Sequence, residues 1–196
     1  MKLIAINPYK NVEEQQRPKD RYQLDKQLAA ACVKQDRLAQ RTLFERYKDG
    51  LYTLLCRMLI DEAESTDALQ ETFIKAFKGI NSYQGKSSLW TWLRTIAIRT
   101  AINKQKRLKY HAPIEEADAV LGNHAIHWDD NLTGEYLAKA IARLATGYRN
   151  VFVLIEVEGY THKEVSEMLG ISSGTSKSQL YHAKRLLQKY LKELYH

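Results

Sequence analysis

The stretch GYTHKEVSEMLGISSGTSKSQLYHAKRLL, from Gly159 to Leu187, limits what this chain can fold into more than any other part of it. Thr161 followed by Glu164 is a capping-box pair, in which each residue's side chain satisfies the other's backbone N–H at the start of a helix. Val165, Met168 and Leu169 supply the buried side of that helix, and Gly170 stands where a left-handed residue ends it. Ile171 plugs the turn. Ser172 or Ser173 then caps a second helix, whose apolar stripe is Leu180, Ala183, Leu187, Tyr190 or Leu191, and Leu194. Two helices joined by a tight glycine turn form a helix-turn-helix.

The opposite face of the second helix carries Thr175, Ser178, His182, Arg185 and Lys189, at i, i+3, i+7, i+10 and i+14, with Lys177, Gln179, Tyr181 and Lys184 beside them. A helix of this width fits the major groove of duplex DNA. Thr175, Ser178, Gln179 and His182, near its N-terminus, are short or planar enough to meet base edges, while Arg185 and Lys189 are placed for phosphates. The plain alternative is a solvated helix face. Charge favours the first reading: thirty Lys and Arg against 23 Asp and Glu leave a net +7, which attracts polyanions such as nucleic acid or an anionic membrane surface.

Upstream, Leu43, Phe44, Tyr47, Leu51, Leu54, Leu55, Met58 and Leu59 recur at helical spacing across residues 38–60, which predicts a long helix. After DEAESTD, the repeat Leu69, Phe73, Ala76, Phe77 and Ile80 predicts a second, with Asp67, Gln70 and Glu71 off its apolar stripe. NSYQGKSS breaks the pattern, and Ser87 or Ser88 is placed to cap a third helix. One stripe of that helix is Leu89, Leu93, Ile96, Ala97, Thr100 and Ala101; another holds Trp92, Thr95, Arg99, Asn103 and Lys106. Seven basic residues and no acid lie between Lys86 and Lys109. Ile98 and Ile102 point away from the first stripe, so this helix is expected to be covered on two sides.

The sign then reverses: six acids and no Lys or Arg fall between His111 and Glu135, with Pro113, Gly122 and Gly134 interrupting any helix, as in an acidic linker. His124 and His127 have a spacing seen in metal sites, but without Cys or a third His they read as a solvated loop, and no metal is expected. The expected fold is all-α: two small helical domains joined by a flexible acidic linker, the C-terminal one a helix-turn-helix. Residues 1–22, with Pro8 and Pro18, read as a loose leader, 23–108 as the first domain, 109–134 as the linker and 135–196 as the second domain. MKLIAI offers only four consecutive apolar residues, too few for a signal peptide or a spanning helix. Cys32 and Cys56 sit in apolar runs as small buried hydrophobes, which fits a reducing cytoplasm. With no P-loop, nucleophile motif or paired metal ligands, neither an enzymatic activity nor a cofactor is expected.

Three segments together carry a resemblance. TDALQETFIKAF is similar to the core-polymerase-binding helix of extracytoplasmic-function RNA polymerase sigma factors, the smallest type in the sigma-70 family; LWTWLRTIAIRTAINKQKR resembles their promoter-melting helix, and GYTHKEVSEMLGISSGTSKSQLYHAKRLL their upstream-element reader. All three occur in the family's order, across about residues 24–195. The resemblance implies a cytoplasmic specificity subunit that binds core RNA polymerase through Asp67, Gln70 and Glu71. It implies that Trp92, Arg99, Asn103 and Lys106, with the loop INSYQGKSS, hold the opened minus-ten strand, Trp92 being equally readable as core. The second domain is then expected to read the minus-thirty-five duplex. Many relatives have a membrane-tethered inhibitor, so an anti-sigma factor is an implied partner. The chain departs from the family pattern at Arg99, often Asn; at Ser176, usually Val, where slightly weaker core packing is expected; at Gln179, frequently Arg; and in LATGYRN, which lacks the prolines common there. Two rivals stand beside this reading: a stand-alone helix-turn-helix regulator using residues 24–107 as a ligand or dimer domain, and a nucleic-acid-processing enzyme anchored by its helix-turn-helix.

Overall fold

The computed structural model describes residues 19–111 and 132–194, and every regular element among them is helical. None of these helices is long and apolar enough to cross a membrane. The segments before Lys19 and between His111 and Leu132, with most of the leader and linker and with His124 and His127, lie outside the described residues. The chain divides into two compact units. One takes Ala63–Gln105 and the chain up to Leu55, the other Lys106 onward with Cys56–Glu62.

Four helices supply most of the first unit, α1 (Lys19–Val33), α2 (Arg37–Leu59), α3 (Glu62–Gly79) and α4 (Leu89–His111), with a 3-10 turn at Ile80–Ser82; the last residues of α2 and α4 and the first of α3 are counted with the second unit. Hydrophobic periodicity predicts the last three but not α1, whose first residues fall within the expected leader. The buried positions of α1 are Asp25, Ala29 and Cys32, a helical stripe that contains a carboxylate, so no apolar period announces it. A left-handed residue, Gln35 (φ +61), ends α1. The N–H of Asp36 donates to Ala31 O (3.2 Å) and that of Gln35 to Cys32 O (3.0 Å), the paired bonds of a Schellman cap. Asp36 then caps α2, its Oδ1 accepting from Leu38 N at 2.8 Å and Ala39 N at 3.2 Å.

The apolar face of α2 is core: Leu43, Leu51, Leu54, Leu55 and Met58 are almost wholly buried. Phe44 packs against Phe73 of α3 with ring centroids 4.8 Å apart. Leu89, Leu93, Ala97 and Ala101 of α4 are buried, and so are Ile98 and Ile102; α4 is covered on two sides, as its sequence required.

The second unit holds α5 (Leu132–Ala142), α6 (Thr146–Phe152), a π-helical turn at Val153–Val157, α7 (His162–Leu169) and α8 (Ser173–Leu194). Its long helix, α8, packs on α5, α6 and α7. Leu137, Ile141, Leu144, Val151, Leu154, Val165, Ala183 and Leu187 fill the core. Arg149 of α6 is buried, and its Nη1 donates back to Leu144 O in the preceding turn (2.8 Å). Burial pushes its guanidinium down to about 10, so it keeps its charge at neutral pH.

Candidate nucleic-acid interface

The caps and turn of the helix-turn-helix are those its sequence predicts, while of Val165, Met168 and Leu169 only Val165 is fully buried and the other two are half-buried. Thr161 Oγ1 accepts from Glu164 N at 3.3 Å, and Glu164 Oε2 accepts from Thr161 N at 2.8 Å, closing the capping box. Gly170 is left-handed (φ +68), and the N–H groups of Gly170 and Ile171 both donate to Ser166 O, at 3.0 and 3.1 Å. Of the two serines able to cap α8, Ser172 does so: its Oγ accepts from Thr175 N at 2.9 Å. Ser176 is fully buried, and its hydroxyl is not merely a smaller packing group than Val. It lies 2.9 Å from His162 Nδ1, a polar tie between the two helices of the motif.

Ser176, Leu180, Ala183 and Leu187 are the buried stripe of α8. Lys177, Ser178, Tyr181, His182, Arg185 and Lys189 are exposed, whereas Thr175 and Gln179 are half-buried at one edge. The Thr175 hydroxyl lies 2.8 Å from Ser172 Oγ, and Ser178 Oγ donates to Thr175 O at 3.0 Å. Gln179 leans towards α6: a Cβ built on Gly147 would lie 3.3 Å from its Nε2. The His182 ring stands 6.1 Å from that of Tyr148 on the same helix. Glycine at 147 leaves room for the Gln179 side chain, a link between LATGYRN and α8 that no periodicity reveals. Tyr181, 59% exposed, lies next to His182 (5.5 Å between rings), with the Arg185 guanidinium 5.8 Å from its centroid. Tyr181, expected beside the polar face, lies near the middle of the exposed one. Lys184 is tied to Glu156 at 2.8 Å, and Lys189 stands 4.0 Å from Glu193.

In the first unit, Ser88 caps α4, its Oγ accepting from Thr91 N at 3.1 Å. Arg99, Asn103 and Lys106 are exposed and Trp92 is half-buried, so the indole is neither core nor a free platform. Its ring lies 5.7 Å from that of Tyr83, whose hydroxyl donates to Ser87 O at 2.6 Å. The loop Ile80–Ser88 is thus folded against the first turn of α4, beginning at buried Ile80.

On α3, Asp67 and Gln70 are exposed and Glu71 is half-buried, with Ile74, 55% exposed, one turn further along. These acids are not a free solvated face. Lys104 of α4 is paired with Glu64 and stands 3.6 Å from Asp67. Glu71 holds Lys75 at 2.8 Å, and Lys75 donates to the buried Thr100 of α4 at 3.2 Å. Sequence spacing cannot show which helices adjoin, so these cross-helix ties were not predicted.

Two family profiles match the chain, Sigma-70 region 2 over residues 43–110 and Sigma-70 region 4 over residues 134–187. The RNA polymerase sigma-H factor of Pseudomonas aeruginosa is 28% identical over 183 residues, covering 87% of this chain and 95% of that protein. The ECF RNA polymerase sigma factor SigW of Bacillus subtilis is 30% identical over 176 residues, covering 82% of this chain and 93% of that protein. Among solved structures, the sigma factor RpoE from Bartonella quintana, crystallised with the anti-sigma factor NepR, shares the fold with a TM-score of 0.60 at 23% identity, covering 78% of this chain and 96% of that one. With both sigma-70 regions in order and SigW matched over nearly its whole length, the chain belongs to the extracytoplasmic-function sigma factors of the sigma-70 family, which are transcription-initiation factors.

Proposed function

We propose that this chain binds core RNA polymerase through α3, captures the opened minus-ten strand with α4 and its preceding loop, and reads the minus-thirty-five duplex with α8. The observation that carries the reading is the exposed face of α8. It presents Lys177, Ser178, Tyr181, His182, Arg185 and Lys189 on a helix whose other side buries Ser176, Leu180, Ala183 and Leu187. A rigid helix with polar groups near its N-terminus and cations further along has the chemistry of a major-groove reader. Thr175, Ser178, Gln179 and His182 are assigned to base edges, Arg185 and Lys189 to phosphates. Trp92, Arg99, Asn103 and Lys106 line the single-strand path, where an aromatic stack contributes roughly 1–3 kcal/mol per base. Asp67, Gln70 and Glu71 meet the polymerase. The working division is 23–108 for the polymerase and minus-ten domain, 109–134 for the linker and 135–196 for the minus-thirty-five domain.

In this reading the chain performs no catalysis of its own, acts in the cytoplasm and is restrained by an anti-sigma factor, as the solved RpoE is seen bound to NepR. Reconstitution with sigma-free core polymerase, followed by sequencing of transcript starts, tests it. Starts that share spaced minus-ten and minus-thirty-five elements are expected, and transcription indistinguishable from core alone would sink the reading. Within the same assay, Asn103→Ala is expected to slow promoter opening, seen as reduced permanganate reactivity of unpaired thymines, while duplex binding is retained.

A further inference from the structure

A buried residue that joins α1 to the rest of the first unit lies outside the three helices given roles above. Asp25 is 2% exposed, and its one ion pair among the described residues is long: Arg46 Nη1 stands 3.9 Å from Oδ1, with the Arg46 side chain 45% exposed. A buried carboxylate needs hydrogen bonds in place of water. Asp25 finds them in two other helices. Oδ2 accepts from the backbone N–H of Leu89 at 2.9 Å, and Oδ1 from the Tyr47 hydroxyl at 3.3 Å. Leu89 is the first residue of α4, so its N–H is one of the four donors a helix start leaves without an internal partner. Ser88 satisfies another from inside the chain's own turn. Asp25 therefore acts as a cap supplied from a distant helix, with its negative charge at the positive end of the α4 dipole. Tyr47, which holds Asp25 from the other side, also packs against Trp90 in the first turn of α4, with ring centroids 6.2 Å apart.

The neighbouring residue grips the same place. Gly85 sits in the loop before α4 with φ +66, and a Cβ there would fall 2.4 Å from Lys26 Cε and 3.1 Å from Lys26 Cγ. The aliphatic stem of Lys26 thus lies directly on the glycine turn. Consecutive residues of α1 thus contact the loop and the helix start. The 3-10 turn that opens this loop also packs on α1.

From this geometry we infer that Asp25, assisted by Lys26, is a positioning residue for minus-ten recognition: it fixes the first turn of α4 and the 80–88 loop in the relative placement that the captured strand requires. It touches no DNA. Its effect passes through Leu89 N and Gly85 to Trp92 and Tyr83, which face each other across the junction that Asp25 pins. The inference rests on the proposed role of α4 and its loop in holding the opened strand.

The test uses holoenzyme and two short single strands, one carrying the minus-ten sequence from the mapped starts and one with that sequence scrambled. Wild type is expected to prefer the first; if it does not, the minus-ten reading itself fails. Given that preference, Asp25→Ala is expected to reduce the ratio of the two affinities about tenfold, as loss of one well-placed base contact does. Binding to a minus-thirty-five duplex should be unchanged. Asp25→Asn, which keeps an acceptor for Leu89 N but not the charge, should recover part of the ratio. Lys26→Ala, an exposed substitution, should lower it by a smaller factor. Leu54→Val, in the core of α2, controls for stability: it should lower the melting temperature and leave the ratio alone. An unchanged ratio in Asp25→Ala, or an equal fall in Leu54→Val, overturns the inference. Should Asp25→Ala fail to fold, an unchanged ratio in both Asp25→Asn and Lys26→Ala overturns it instead.

Discussion

Gln35 occupies a backbone conformation, φ +61, that suits glycine better than any side chain. A left-handed residue with a Cβ costs about 1–2 kcal/mol, against about 0.5–1 kcal/mol of extra chain entropy lost when glycine is ordered. Gln35→Gly is therefore expected to stabilise the first unit by about 0.5–1 kcal/mol, read from the urea midpoint with an unchanged slope. Tyr47 carries a pH signature. Burial, and then the charge of Asp25, push its phenol up to about 12 from an ordinary value near 10. The folded state thus holds this proton more tightly than the unfolded chain. The associated stability is fully present below about pH 10 and is lost as pH rises towards about 12. Tyr47→Phe should cost about 1 kcal/mol at neutral pH through the lost hydrogen bond. Between pH 10 and pH 12 its stability should decline less steeply than that of wild type, so comparing the two proteins by denaturant titration across that window isolates Tyr47 from the other tyrosines.

Among the elements, α8 is proposed to separate two roles by position. Gln179→Ala should lose about 1–3 kcal/mol on the preferred minus-thirty-five element and relax selectivity at one base position. Lys189→Ala should weaken all promoters alike and lower the salt slope by about one unit. A library of promoters titrated with each holoenzyme distinguishes them, and a uniform loss for Gln179→Ala would mean that it sets the angle of α8 against Gly147 and does not contact a base. This ambiguity marks the limit of what the chain's pattern could show. The capping box, Gly170 and the apolar stripe of α8 were legible because each depends on residues within one or two turns. The flank of α8 that α6 approaches was not, because it depends on Gly147, thirty-two positions before Gln179. In the same way α2, α3 and α4 declare themselves by periodicity, while α1 hides behind a buried stripe of Asp25, Ala29 and Cys32. The acids of α3 could be placed off the apolar stripe from spacing alone, but their pairing with Lys104 and Lys75 is a property of two helices meeting.

For the whole molecule, the net charge of +7 favours non-specific affinity for any DNA, so bare binding says little about specificity. The free chain is expected to hold duplex DNA only at the non-specific level, roughly 10⁻⁴–10⁻⁶ M at physiological salt, with no sequence preference. Adding core polymerase should reveal preference for one promoter class. Anisotropy titrations with and without core check this, and tight selective binding by the free chain to a two-fold symmetric site would favour the stand-alone regulator instead. The arrangement of Lys104 with Glu64 and Asp67, and of Lys75 with Glu71 and Thr100, also matters for inheritance. A lesion in one of these acids alters a cation on which the neighbouring helix relies, so a genetic selection for restored transcription should return compensating changes in α4 as readily as in polymerase. A suppressor at Lys104 would then mark a shared charge inside this protein, and mapping by allele-specific suppression alone would assign it to the wrong partner.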